Sequence, residues 1–251
     1  MVISIIALLI ALLLPAIKQA KYYATLLRCG SNLRQCGIGV TGYAADSRGY
    51  WPDRWHTTPS AGTASPSLLM GTGAATNDLR PLFNTYFPLS DTMYCPFLDK
   101  VDLDRPVSDF GSYGEVYGSF DMWFGWFPLG SPDPGWQQRM ATIEDDMVYD
   151  GTAFNVLMGD VAYIWVPGAS FNASHPNDQS TLDTRDGPPR HESVFSRHVG
   201  NNFPPFDPGD MNFMFTDTHV DTIGAVESND PRMEQVWVHN SQIIVQLPAK
   251  K

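Results

Sequence analysis

The sequence predicts an α+β protein: one long N-terminal helix packed on a mainly antiparallel β-sheet domain with long loops. Three observations carry this expectation. Residues 1 to 17 (MVISIIALLIALLLPAI) contain no charge, and residues 18 to 45 keep a helical spacing of apolar side chains. Past residue 46 the apolar runs are short, strand-like and separated by turn residues. The 20 Pro and 21 Gly among 251 residues make a loop-rich body.

Composition bounds the function. A hydrophobic content of 43% with 12% aromatics sustains a packed core. Sixteen Lys and Arg stand against 27 Asp and Glu, for a net charge of -11. That argues against a nucleic-acid partner, which needs clustered cations to neutralise phosphates. Four of the cations, Lys18, Lys21, Arg28 and Arg34, fall in the second part of the helix, and the rest of the chain is strongly acidic.

The helix divides in two. Residues 1–17 form a hydrophobic anchor, a little short of the ~20 apolar residues a membrane span uses. No basic region precedes the apolar run and no small-x-small cleavage site precedes Lys18, so an uncleaved anchor or a bundle helix fits better than a secretory signal. Pro15 should kink it or open one hydrogen bond. Residues 18–45 are amphipathic. Tyr22, Leu26, Cys29, Leu33, Cys36, Val40 and Tyr43 alternate steps of four and three, so they share one face and should pack on the chain's own domain. Lys21, Arg28, Ser31, Arg34 and Gln35 take the opposite face. Gly30, Gly37, Gly39 and Gly42 permit close approach of another backbone. Asp46-Ser47-Arg48-Gly49 reads as the turn out. Cys29 and Cys36 lie two turns apart, about 10 Å, too far for a disulfide; Cys95 is a candidate partner for either.

The remaining 46–251 form the globular α+β domain. Thr57 to Asn77 reads as a long loop and Leu79 to Phe87 as a short helix. Asp109 to Trp136 packs aromatics between glycines. It reads as a strand pair buried against the helix, or as a platform on which Trp123, Trp126 and Trp136 would stack a glycan or another chain. Ala153 to Val166 reads as a buried strand interrupted at Gly159-Asp160. Pro167 to Asn202 is loop-like. Two hairpins follow: Met211–Thr216 with His219–Ile223 about Asp217-Thr218, and Gln235–Val238 with Gln242–Leu247 about Asn240-Ser241.

VISIIALLIALLLPAIKQA followed by RCGSNLRQCGIGVTGYAADSRGYWPD resembles the N-terminus of type IV pilin-like proteins. More narrowly, it is similar to the prepilin-like bacterial family, abundant in planctomycetes, that carries a domain of unknown function. Tyr94-Cys95-Pro96, the strand NVLMGDVAY and the pair Arg197-His198 with MNFMFTDTHV extend the resemblance, though Thr218 stands where Gly is usual. Such proteins begin with a basic leader and a Gly-Phe-Thr-Leu-Ile-Glu-Leu-type processing site; both are absent from this sequence, and Met1 aligns inside the mature start. The resemblance implies anchoring in the inner membrane with the domain outside the cytoplasm, then assembly with like subunits into an extracellular filament.

No nucleophile elbow, phosphate loop, dinucleotide fingerprint or Cys-x-x-Cys pair is present. His191-Glu192 begins like a zincin motif, but Phe195 stands where its second His belongs. No enzyme is expected, and no cofactor beyond a structural metal ion. For that ion Asp160, His198, Asp217 and His219 offer carboxylate and imidazole ligands; the alternative is an Asp217-capped hairpin turn with the histidines hydrogen-bonded around it. The acidic runs Asp99, Asp102, Asp104 and Glu144, Asp145, Asp146 lack the spacing of a calcium loop and read as solvated. The expected function is a structural subunit of a type IV pilus or type II secretion-like pseudopilus, partnered by membrane lipid and by like helices. The alternative is a membrane-anchored surface module that binds a glycan or protein through residues 109–136. A tethered hydrolase ranks last.

Overall fold

The apolar run and the stripe after it are one continuous helix. In the computed structural model α1 spans Val2–Asp46, 45 residues, about 67 Å at ~1.5 Å per residue. The structure describes residues 2–52, 68–70, 79–97, 116–125, 136–138, 140–160, 162–165, 170–173, 195–198, 209–226, 230–238 and 243–250. α1 runs through Pro15, whose ring denies the Ala11 carbonyl its helical donor. At its C-terminus the Ser47 and Gly49 amides donate to the Tyr43 and Ala44 carbonyls at 2.9 and 2.7 Å. Arg48 and Gly49 turn the chain away with φ of 58° and 87°.

The elements that follow are short: β1 (Leu68–Met70), α2 (Arg80–Tyr86), α3 (Leu89–Thr92), β2 (Val116–Tyr117), β3 (Phe120–Met122) and β4 (Trp136–Gln138). Next come β5 (Met147–Tyr149), β6 (Thr152–Phe154), β7 (Val156–Asp160), β8 (Ala162–Trp165), β9 (Ser170–Ala173) and β10 (Phe195–His198). The chain closes with β11 (Gly209–Phe215), β12 (Val220–Val226), β13 (Met233–Val238) and β14 (Ile243–Pro248). Pro81 begins α2 where its missing amide is harmless.

All the sheet pairings among the described residues are antiparallel, as expected. A four-stranded sheet runs β12-β11-β7-β3, and a five-stranded one β10-β9-β8-β14-β13; β4-β5-β6 and β1-β2 make smaller sheets. The second half of α1 lies on the four-stranded sheet, touching β11, β12 and β7, and also meets α2 and α3. β7 is buried at all five positions, as a strand covered on both faces must be.

Four sequence expectations change. The run Ala153 to Val166 is not one strand: β6, β7 and β8 join three different sheets, with the breaks at Asn155 and between Asp160 and Ala162. Gly159 does not interrupt β7. It pairs with Phe213 of β11, and a Cβ there would stand 2.7 Å from the Phe213 ring, so the glycine makes room for the aromatic. The supposed loop Pro167 to Asn202 contains β9 and β10, which extend the sheet from β8, and Leu68–Met70 within the first loop pairs with β2. These segments lack clean alternation; an available strand edge, not their composition, makes them strands.

The expected hairpins form. β11 and β12 join through Thr216-Asp217-Thr218: the Thr218 amide donates to the Phe215 carbonyl at 2.8 Å and the Phe215 amide to the His219 carbonyl at 3.0 Å. This is a three-residue loop whose last residue takes the left-handed conformation, here Thr218 with φ 67°. β13 and β14 pair from Met233↔Pro248 to Val238↔Ile243; their turn lies outside the described residues. A third hairpin was not anticipated. Asp150 and Gly151 join β5 to β6 with φ of 46° and 77°, the two-residue turn that Asp-Gly favours.

The helix glycines admit side chains rather than a backbone. A Cβ on Gly37 would collide with the Met214 thioether, and one on Gly39 with Cδ1 of Phe87. The thioether can swing aside. The Phe87 ring cannot easily do so, being 6% exposed and stacked on Phe83 with centroids 5.4 Å apart. We therefore expect Gly39→Ala to destabilise the domain by about 1–3 kcal/mol in denaturant titration, as overpacking does. Gly37→Ala should be the milder change, because helix propensity returns up to about 1 kcal/mol. Equal losses at the two positions would show that Phe87 is not the wall.

Candidate functional site

The candidate functional surface is α1, and its two halves have opposite environments. Between Val2 and Ile17 eleven Val, Leu and Ile side chains are exposed, from 51% at Ile6 to 82% at Ile3. They surround the helix on all sides, because an unbroken apolar run has no polar face. The most apolar part of α1 is wholly outside the core and is long and apolar enough to cross a membrane. An N-terminal helix of this kind is a membrane anchor or a signal sequence. Lys18 and Lys21 follow at once, where long cationic side chains can reach the polar interface.

From Leu26 onward one face is buried. Leu26, Cys29, Leu33, Cys36 and Val40 are at most 5% exposed. Tyr22 and Tyr43 are half-buried at the two ends of the stripe, their rings 5.2 Å from Phe97 and 5.7 Å from Tyr86. Lys21, Arg28, Ser31, Arg34 and Gln35 are exposed on the other side. The buried face also holds Asn32 and Ala44, which the four-three spacing did not include.

Polar groups lock this apolar contact. Asn32 Nδ2 donates to the Tyr94 carbonyl at 2.9 Å and the Asp91 carbonyl at 3.3 Å, clamping α1 to α3 and the chain just after it. Asn212 of β11 donates its backbone amide to Asp160 Oδ2 at 2.6 Å. Its side chain accepts from Thr222 Oγ1 at 2.7 Å and reaches the Leu26 carbonyl at 3.5 Å. The Cys29 thiol donates to Asp160 Oδ1 at 3.3 Å. Asp160 is 3% exposed and Asn212 1%, and each hydrogen bond offsets the desolvation of a buried polar atom. Sequence reasoning missed both asparagines. The readable signal for Asn212 was a polar residue set directly between Met211 and Phe213 in a strand.

The four residues weighed as metal ligands do not form one cluster. Asp217 and His219 meet in the β11–β12 turn, with Nδ1···Oδ1 at 2.5 Å and the His219 amide donating to the same oxygen at 3.2 Å. Both side chains are exposed, at 68% and 53%. The His219 ring stacks on Phe215, centroids 4.4 Å apart. Asp160 lies at the far end of β7, beside Asn212, about 17 Å of strand from Asp217. His198 ends β10 opposite Ser170, in the other large sheet. Among the described residues, no three His, Cys, Asp or Glu are grouped to hold a metal ion.

Trp123 is no surface platform. It follows β3, is fully buried, and its amide donates to the Leu157 carbonyl at 3.0 Å. Phe120, Met122 and Phe124 are buried with it. Trp136 starts β4 opposite Tyr149, and Trp126 lies outside the described residues. The acidic run 144–146 is a turn: Asp145 accepts from the Thr142 amide and hydroxyl at 2.7 and 2.8 Å. Asp146 pairs with Lys250 at 2.6 Å, a partly exposed contact of small net value. The run at Asp99, Asp102 and Asp104, with His191-Glu192, lies outside the described residues.

The chain matches no protein-family model, no curated protein and no solved structure.

The turn makes two predictions. Desolvation, the largest single effect, pushes the Asp217 carboxyl up, but hydrogen bonds from the His219 ring and amide together outweigh it and hold the group below its ordinary 3.8. A lowered pKa contributes stability that is present above the unfolded value and is lost as pH falls through the folded one. Carbon-detected NMR titration should therefore find Asp217 titrating below 3.8, and His219→Ala should return it toward 3.8; an unchanged titration refutes the contact. Thr218 is β-branched in a left-handed position, which costs an L residue roughly 1–2 kcal/mol. Thr218→Gly should raise the melting temperature, and a lowered one would mean the Thr side chain is itself a needed contact.

Proposed function

We propose that this chain is a structural subunit of a type IV pilus or a type II secretion-like pseudopilus, anchored in the membrane by residues 2–17 until it assembles. One observation carries the reading. A single helix is bare and apolar on every side in its first half, and docked on its own domain by one face in its second. Burying a Val, Leu or Ile side chain stabilises by roughly 1.5–3 kcal/mol. Eleven such side chains in water are untenable, so this half belongs in lipid or against neighbouring helices. The rigid docking of the second half holds the domain at a fixed place along the helix axis, which is what repeated stacking requires. In a helix bundle, or in lipid, neighbours can satisfy the carbonyl that Pro15 leaves without a donor. The resemblance of the first 50 or so residues to pilin-like proteins points the same way.

The mechanism needs no bond chemistry. Helices leave lipid for one another, exchanging one apolar environment for another, so packing and hydrogen bonds rather than the hydrophobic effect drive the exchange. The acidic domains then face outward and repel, which keeps filaments soluble.

The test uses full-length protein in bacterial cells. It should stay in the membrane pellet through alkaline carbonate extraction, and Leu9→Lys with Leu13→Lys should release it. Amine cross-linking of intact cells followed by electron microscopy should show ladders of multimers and filaments that the double variant lacks. Membrane-embedded protein that never forms multimers would sink the filament reading while leaving the anchor.

A further inference from the structure

We propose that Cys29 and Cys95 form a native disulfide that staples α1 to the segment between α3 and β2. Their sulfurs stand 3.5 Å apart, about 1.5 Å more than a bond requires, a gap that small side-chain rotations close. The surrounding hydrogen bonds set up the approach. One turn along α1 from Cys29, Asn32 Nδ2 holds the Tyr94 carbonyl at 2.9 Å, and Tyr94 immediately precedes Cys95. The helix and this segment are therefore held in register before any bond forms. Cys36 is two helical turns from Cys29, and its thiol meets the Thr92 side chain instead.

The reaction joins two thiols into one S–S bond, releasing two protons and two electrons. The electrons pass to a thiol–disulfide oxidant, whose own disulfide opens through a mixed disulfide and leaves as two thiols. Both sulfurs are fully buried in the folded protein. Exchange needs access to sulfur, so the bond forms on the folding chain, before α1 closes over the sheet, and is then shielded from reductant. The staple would carry tension between the membrane half of α1 and the domain, where Asn32 and the apolar stripe alone would have to hold. Asp160 loses the Cys29 donor on Oδ1 and keeps the Asn212 amide on Oδ2. This inference rests on the reading that the domain lies on the oxidising side of the membrane.

The full-length protein is taken from cell membranes, denatured in N-ethylmaleimide, digested without reductant and mapped by mass spectrometry. The expected product is a Cys29–Cys95 peptide pair lighter by two hydrogen atoms, with Cys36 alkylated. Cys36→Ser should keep the link, and Cys95→Ser should leave Cys29 alkylated. Because the bond closes a loop of sequence separation 66, reduction should lower the melting temperature by about 10 °C. Alkylation of both Cys29 and Cys95, a link through Cys36, or stoichiometric zinc on the two sulfurs would overturn the proposal. A C-terminal alkaline phosphatase fusion, active only outside the cytoplasm, separates the two readings. Alkylated Cys29 and Cys95 with an active fusion remove the disulfide alone; the same result with an inactive fusion removes the outward domain as well.

Discussion

The contact between the striped half of α1 and the β11–β7 face governs the rest of the structure, because it is where an exposed helix becomes part of a core. Cys29, Leu33, Cys36 and Val40 are buried in the same apolar cluster as Leu157, Phe213 and Met214. Burial of this kind is non-directional and would tolerate a helix sliding along the sheet. The polar groups remove that freedom. Asn32 must find the Tyr94 and Asp91 carbonyls, Cys29 must find Asp160, and the Leu26 carbonyl must find Asn212. A shift of one turn would strand several buried donors and acceptors, each at roughly 1–3 kcal/mol. Apolar area supplies the adhesion, and a handful of hydrogen bonds supplies the register.

The same contact explains why the sheet below is built as it is. β7 has α1 on one side and the remaining core on the other, so its five residues are all buried and carry no alternation. Glycine answers crowding both between α1 and its neighbours and between adjacent strands. Gly39 accepts Phe87, and Gly159 accepts Phe213. The aromatic sequence around Trp123 belongs to this packing as well, since Phe120, Trp123 and Phe124 fill the core instead of facing a ligand. Among the described residues, the apolar first half of α1 packs on nothing inside the molecule.

Legibility in the sequence followed the range of the interaction involved. The helix was readable because its stripe repeats over seven positions and its exit turn is local. The β11–β12 and β13–β14 hairpins were readable because alternating apolar runs flank polar turn pairs. The β5–β6 hairpin was equally local, and Asp150-Gly151 was its overlooked signal. β9 and β10 were not readable, since Ser170–Ala173 and Phe195–His198 owe their extended form to the edge of β8. The Asp217–His219 pair was legible as two residues of one turn. Its supposed association with Asp160 was not, because it presumed a register in which β7 and the turn meet at the same end.

From the sequence alone follow the α+β class, the length of the helix and the face by which its second half docks. Each of these depends on periodicity and hydropathy within one segment, and those are properties of neighbouring residues. Only the tertiary structure decided that Cys95 lies beside Cys29, that Asp160 binds Asn212 instead of joining His219, and that one apolar run feeds three sheets. Those outcomes depend on which strand edges and which helix turn meet across long stretches of chain. That is settled by mutual burial and by the satisfaction of buried polar groups, and no local pattern encodes it.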